Sequence, residues 1–287
     1  MKVVRVVGYH KNLQLDEAPE PKITSPLDVI VKIGTAGVCR TDIHIIEGQW
    51  VSMSGVTLPY TIGHGNTGWV HAKGDGVTNV ELGDKVILHP LVTCGLCRAC
   101  HFGDDAARKL RPGDFCVLIG AGGLGHIGIQ VLKAVSAATL IVIDRNPDAL
   151  KLAKELGADH VIEGSDDGSF VQKVLDLTGG KGAEATVDFV AEGGSTKTGV
   201  KMIRRAGDYY VVGYGEDLQI STIDIISTEI SFIGNLVGSY KDLAELMVLA
   251  AQGKVKLHTS IYKLEDFQTA IDDLGAGKVR ARAILVP

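Results

Sequence analysis

The chain has 287 residues, 45% of them hydrophobic, with 36 glycines and a formal charge of −5 at pH 7. That length and balance suit a soluble α/β protein of two domains, and the acidic surplus argues against a nucleic-acid or anionic-membrane partner. The start, Met1-Lys2-Val3-Val4-Arg5, holds no apolar signal core, and no apolar stretch is long enough to span a bilayer, so a cytoplasmic protein is expected. Residues 1 to about 92 read as short strands with Gly/Pro punctuation, at Val3–Val7, Asp28–Ala36, Thr67–Lys73 and Lys85–Leu88. Inside this β-rich module lie Gly37-Val38-Cys39-Arg40-Thr41-Asp42-Ile43-His44 and, after a turn-rich loop, Gly63-His64-Gly65. Cys39 and His64 are zinc-ligand types, although two ligands alone make no site. Cys94, Cys97 and Cys100 follow at metal-ligand spacing, and with five cysteines in all, ligation in a reducing compartment fits better than disulfides.

The stretch Phe115–Arg145 carries the strongest signal. Phe115-Cys116-Val117-Leu118-Ile119 is an apolar run of strand length, as expected for a strand buried on both faces, with Cys116 a small buried hydrophobe. Gly120-Ala121-Gly122-Gly123-Leu124-Gly125 follows directly as G-x-G-x-x-G, and a helical pattern runs to about Ser136 with Leu124, Ile127, Gly128, Val131 and Leu132 on one face. A second apolar strand, Leu140–Ile143, ends on Asp144, nineteen positions past Gly125. In this context the glycines allow a tight turn, close approach of a pyrophosphate and close helix–strand packing, and the helix N-terminus offers free N–H groups to phosphate. Asp144 can accept both ribose hydroxyl hydrogens and repel a 2′-phosphate, which selects NAD. Arg145 is the complication, because a neighbouring arginine can accept that phosphate. Asn146 with Pro147 reads as the N-cap and first residue of the next helix.

Downstream the pattern alternates. Helices are expected at Asp148–Leu156, Gly168–Leu177 and Ser195–Arg204, and strands at Asp159–Ile162, Ala185–Val190, Gly207–Val212 and Ile230–Gly234. Six strands joined by right-handed crossovers give a doubly wound parallel sheet of order 3-2-1-4-5-6. A helix Tyr240–Ala251 follows, with Leu243, Leu246, Met247 and Ala250 spaced as core, then a helix Leu264–Leu274 and a strand Ala281–Val286. His10, His71, His126, His160 and His258 match no ligand pattern and read as ordinary.

Taken in order, Ala36-Gly37-Val38-Cys39-x-Thr41-Asp42-x-His44, Gly63-His64, Gly83-Asp84-Lys85-Val86, Cys94-x-x-Cys97-x-x-Cys100 and the Gly120 fingerprint resemble the zinc-dependent medium-chain alcohol dehydrogenases over nearly the whole chain. The resemblance implies an α/β fold, with a doubly wound parallel Rossmann sheet and a smaller GroES-like β-rich catalytic domain. The GroES-like domain would be residues 1–111 completed by 239–287, and the Rossmann domain 112–238. It implies that Cys39 and His64 bind catalytic zinc, that Thr41 contacts the substrate oxygen and passes its proton by way of His44, and that Asp42 orients His64. It places Arg40 and Arg282 at the cofactor pyrophosphate beside Gly120, Gly122, Gly123, Leu124 and Gly125, with Asp144 at the adenosine ribose and Arg145 next to it. Val190, Val212, Asn235, Leu236 and Val237 would line the nicotinamide half. Zinc would serve as a Lewis acid in hydride transfer between NAD and a small alcohol, aldehyde or ketone. A homo-oligomer, dimer or tetramer, is expected. Trp50 and Leu91 are pocket candidates by position.

Three departures from the family pattern stand out. Gly65 occupies the position of a glutamate usual after the histidine. Only twenty positions separate Cys100 from Gly120, so the segment that carries a third catalytic ligand is missing. The fourth cysteine of the lobe is replaced by Arg108, and His101, adjacent to Cys100, would ligate only under strain. Asp42, His44, Glu47 and His89 are alternative third ligands that no spacing singles out. Zinc is therefore expected below two ions per chain, favouring Cys94, Cys97 and Cys100, and NAD binding is expected to outlast turnover. The alternatives are a shortened NAD(H)-binding variant without catalysis and a zinc-free medium-chain reductase.

Overall fold

Residues 1–49, 51, 56–89 and 110–287 are described in this computed structural model. In chain order the strands are β1 (Lys2–Val6), β2 (Gln14–Glu17), β3 (Val29–Val38), β4 (Tyr60–Thr61), β5 (His64–Lys73) and β6 (Lys85–Ile87). They continue with β7 (Phe115–Ile119), β8 (Thr139–Asp144), β9 (His160–Glu163), β10 (Ala183–Asp188), β11 (Ile203–Val211) and β12 (Ser231–Gly234), and end with β13 (Thr259–Lys263) and β14 (Arg282–Val286). Tertiary contacts divide them into two units, residues 1–92 with 259–287 and residues 93–258. Among the described residues no helix is long and apolar enough to cross a membrane.

The first unit holds a three-stranded sheet, β2-β1-β4, and a five-stranded sheet, β13-β14-β3-β5-β6. Its apolar residues meet around the helix Phe267–Gly275. Val38, Ala270, Ala283 and Leu285 form one cluster there, and Val4, Val6, Leu13 and Ile45 another, with Phe267 and Ile271 packed against both. The antiparallel register of β3 on β5 sets Gly37 opposite His64, and β14 lies on the other side of β3 with Ile284 opposite Gly37. That register brings Cys39, two residues beyond Gly37, to His64 across 25 positions of sequence.

The second unit is a six-stranded sheet of order β12-β11-β10-β7-β8-β9, parallel throughout. This is the doubly wound order expected. Its central strands are buried on both faces, as their unbroken apolar runs require. Cys116, Leu118, Leu140 and Val142 pack on one face, and Val117, Ile119, Ile141 and Ile143 on the other. Fully burying such a side chain stabilises by about 1.5–3 kcal/mol, so these two strands anchor everything attached to their ends.

Several local expectations are corrected. The helix expected over Ser195–Arg204 stops at Val200, and Ile203 instead opens β11 opposite Ala183. The helix Tyr240–Ala251 forms, capped by Ser239, but none of its residues is buried and Met247 is 44% exposed, so its apolar stripe is not core. By its contacts that helix belongs to the second unit. The helix after the glycine turn, Gly125–Val135, buries Gly125, His126, Ile129 and Gln130, and Leu124 is 52% exposed. A seven-residue helix, Arg40–Ile46, and the strand β13 were not expected from the pattern.

Candidate functional site

In the first unit, Cys39 caps the helix Arg40–Ile46 with extended backbone, its Sγ accepting from the Thr41 N–H at 3.2 Å. Asp42, one turn in, is buried and turns back: its Oδ2 accepts from the Cys39 N–H at 2.8 Å and its Oδ1 from the Gly63 N–H at 3.3 Å. The same Oδ1 stands 3.4 Å from His64 Nδ1. The far nitrogen, His64 Nε2, is 3.0 Å from Cys39 Sγ. Asp42 thus fixes the imidazole by one nitrogen and leaves the other to the thiol.

The electrostatics follow from these contacts. Hydrogen bonds that the ring donates to Asp42 and then to Cys39 raise the His64 pKa to about 10, against a smaller opposing effect of burial. Burial pushes the Cys39 thiol up, but the His64 ring and the Thr41 N–H outweigh it and hold the thiol below its ordinary value. The pair shares a proton that a metal ion would displace, since zinc takes thiolate and neutral imidazole. Among the described residues Cys39, Asp42 and His64 have ligand atoms within 4.8 Å of one another. The donor chemistry fits zinc. Asp42 is the poorest ligand of the three, because both its oxygens already hold main-chain N–H groups and the ring. His44, Glu47 and His89 are not in the cluster. Buried His44 lies three residues after Thr41, on the same side of the helix. Arg282 lies against Gly37, its Nη2 3.2 Å from where a Cβ would sit there, and Arg40 begins the helix, so both arginines flank the Cys39–His64 pair. Trp50, Leu91, Cys94, Cys97, Cys100, His101 and Arg108 lie outside the described residues.

In the second unit, Gly120 follows β7 with φ +91°, and any side chain at Gly125 would run into the Gly120 carbonyl. Those two positions demand glycine. Asp144 closes the turn: its Oδ2 accepts from the Ala121 N–H at 2.7 Å and its Oδ1 from the Asn146 N–H at 2.8 Å. Asn146 caps the helix Pro147–Glu155, as expected. Beside the turn lies a cavity of about 630 Å³, lined among others by Gly120, Asp144, Arg145, Ser165, Val190 and Ser195. Arg145 Nη2 is paired with Asp166 Oδ1 at 2.7 Å, on the surface. Val190 is held by a buried carboxylate: Asp188 Oδ1 accepts from the Val190 and Ala191 N–H groups, and Oδ2 from Ser195 and Tyr209 hydroxyls. Val212 follows β11 and Asn235–Val237 follow β12, so they stand on the strand-end edge that carries Gly120 and Asp144, with Leu236 84% exposed.

Two family models match the chain, the alcohol dehydrogenase GroES-like domain over residues 25–144 and the zinc-binding dehydrogenase over 123–252. A Sulfurisphaera tokodaii protein named NAD-dependent alcohol dehydrogenase is 33% identical, with all of both chains covered. The chain belongs to the zinc-binding alcohol dehydrogenase family. A Saccharolobus solfataricus member of the same name is 31% identical over the whole of both chains. The crystal structure of the alcohol dehydrogenase from Aeropyrum pernix superimposes with a TM-score of 0.94 at 36% identity, again over the whole of both chains. The alignment with the Sulfurisphaera dehydrogenase runs over 349 positions against 287 residues here, so that relative carries residues with no counterpart in this chain.

Proposed function

We propose that the chain oxidises small alcohols with NAD, or reduces the matching carbonyl compounds, from a complete dinucleotide site and a sparse metal site. The enzyme class, an NAD-dependent alcohol dehydrogenase with zinc, follows from the family and from its full-length relatives. Cys39 and His64 would hold the metal and Asp42 would orient His64. Bound zinc would supply a Lewis acid that lowers the alcohol's pKa, and bound NAD the hydride acceptor. Thr41 would take the alcohol proton through its hydroxyl, and His44, one turn along, would hand it on. Gly120–Gly125 would seat the pyrophosphate, and Asp144 would take the ribose diol in competition with no cation of its own, since Arg145 is drawn to Asp166.

The observation that carries this reading is the Cys39 Sγ–His64 Nε2 contact at 3.0 Å with a buried carboxylate behind it. Two committed donors support slower turnover than a full three-ligand catalytic site gives. Zinc analysis of the purified protein, with NADH formation from short-chain alcohols in wild type, Cys39→Ala and His64→Ala, tests it. Zinc-dependent turnover abolished in both variants is expected. Turnover unaffected by either variant would refute it.

A further inference from the structure

Two histidines that match no ligand pattern, His126 and His258, meet inside the second unit, their rings edge-on with centroids 6.0 Å apart. His126 is wholly buried in the helix that leaves the glycine turn. Its backbone N–H and its ring Nδ1 both reach the Gly122 carbonyl, at 3.1 and 2.9 Å. A carbonyl only accepts, so Nδ1 carries the proton. The other nitrogen, Nε2, lies 3.3 Å from the His258 backbone N, which only donates, so Nε2 is a bare acceptor. These two partners call for a neutral ring in one tautomer.

One turn further, Gln130 completes the arrangement. Its Nε2 donates to the His126 and Lys256 carbonyls, both at 2.9 Å, and its Oε1 accepts from the Lys256 N–H at 2.8 Å. Two side chains on one helix face therefore satisfy main-chain groups of an irregular segment, 256–258. His258 is the last residue of the second unit.

The geometry of the peptide bond gives this clasp a consequence at the turn. The Gly122–Gly123 peptide is planar and trans, so its C=O and N–H point in opposite directions. With the Gly122 carbonyl held toward the helix by His126, the Gly123 N–H must point away from it. Gly122 is exposed, with nothing within 4 Å of where a Cβ would sit. An N–H presented at a helix start is what recognises phosphate.

We propose that His126 is a positioning residue of the dinucleotide turn: its ring N–H clamps the Gly122 carbonyl and so aims the Gly123 N–H at the cofactor pyrophosphate, while its second nitrogen ties the turn to His258. The inference rests on the dinucleotide site proposed above. It makes pyrophosphate seating and the ordering of 256–258 one linked event.

The test uses the full chain with His126→Phe, His126→Asn and His126→Gln, NADH titration, and amide hydrogen exchange across 256–258 with and without NADH. Asparagine places an amide N–H near the position of Nδ1, and glutamine an amide oxygen near that of Nε2. In wild type, NADH should slow exchange at Lys256 and His258. His126→Phe should weaken NADH roughly three- to tenfold, the worth of a hydrogen bond, and abolish that slowing. His126→Asn should restore NADH affinity without the slowing, and His126→Gln should keep basal protection of His258 with weakened NADH. Should the phenylalanine variant fail to fold, the Asn–Gln contrast decides alone. Wild-type NADH affinity in every folded variant would overturn the proposal, as would identical behaviour of Asn and Gln. A wild-type protein that binds no NADH overturns the dinucleotide site itself, a separate result.

Discussion

The glycine turn of the second unit and the Cys39–His64 corner of the first are built in different ways. The turn is made of consecutive main-chain groups, Gly120 to Gly125, closed by one carboxylate nineteen positions on, and its strands are buried on both faces. The corner is assembled from side chains 25 positions apart, brought together by the β3–β5 register, and among the described residues it offers Cys39 and His64 as donors with Asp42 behind them, where a catalytic zinc takes three. A site made of contiguous backbone tolerates loss of a distant segment, whereas one pooled from separate side chains does not. The two described cysteines make the same contrast. Burial alone drives Cys116 up to about 12, while Cys39, beside His64, is held low.

Asp42 is the most sensitive point of the Cys39–His64 corner. Asp42→Ala removes the acceptor for the half-buried Cys39 and Gly63 N–H groups, and about 1–3 kcal/mol, the cost of a fully buried unsatisfied donor, is the upper bound for each. Loss of the group orienting a metal-binding histidine should lower zinc affinity by about 10–100-fold. Thermal unfolding and a zinc titration check both, and unchanged zinc affinity would show that the corner is not organised by Asp42.

A smaller effect sharpens the account of the turn. Asp144→Asn should weaken NADH by about tenfold or more, the worth of a charge-assisted hydrogen bond, and leave NADPH less affected, so the preference narrows. Asp166→Asn should release Arg145 and tighten NADPH by up to about fivefold, the range of an exposed ion pair. Parallel titrations with both cofactors measure these changes; equal NADH and NADPH affinities in wild type would contradict the role of Asp144.

The smallest expected effect is on acid stability of the second unit. Burial would raise the Asp159 pKa, but the Leu140 N–H and Lys133 outweigh it and hold it below the ordinary value. A depressed carboxylate contributes stability fully above its unfolded pKa and loses it as pH falls through the folded one. Asp159→Asn should therefore flatten the acid limb of stability against pH and leave the neutral limb nearly parallel. A series of denaturant midpoints from neutral to acid pH reads this, and identical acid limbs would remove Asp159 from the account.

Much of the second unit was legible because its physics is local. Unbroken apolar runs announce strands buried on both faces, and the glycines, Asp144 and the Asn146 cap fall where the chain must turn. The His126 clasp was not legible, since its partners are main-chain atoms of Gly122, four residues back, and His258, far along the chain. Apolar spacing instead pointed to Leu124, Ile127 and Leu132, while the helix buries a histidine and a glutamine. The helix Arg40–Ile46 has little sequence signal, because it is short and its cap is a thiol rather than the usual hydroxyl or carboxylate. In the helix Tyr240–Ala251 the reverse holds: the apolar spacing is present, yet no residue is buried.

A cofactor site more complete than the metal site is the expectation to test. Its most direct test is NADH affinity and steady-state alcohol oxidation measured on one zinc-supplemented sample. Clear NADH binding is expected, with turnover lower by about 10²–10³, the cost of losing one preorganised stabilising group, than in a full-length relative assayed alongside. Turnover matching that relative, and lost in Cys39→Ala, would contradict it.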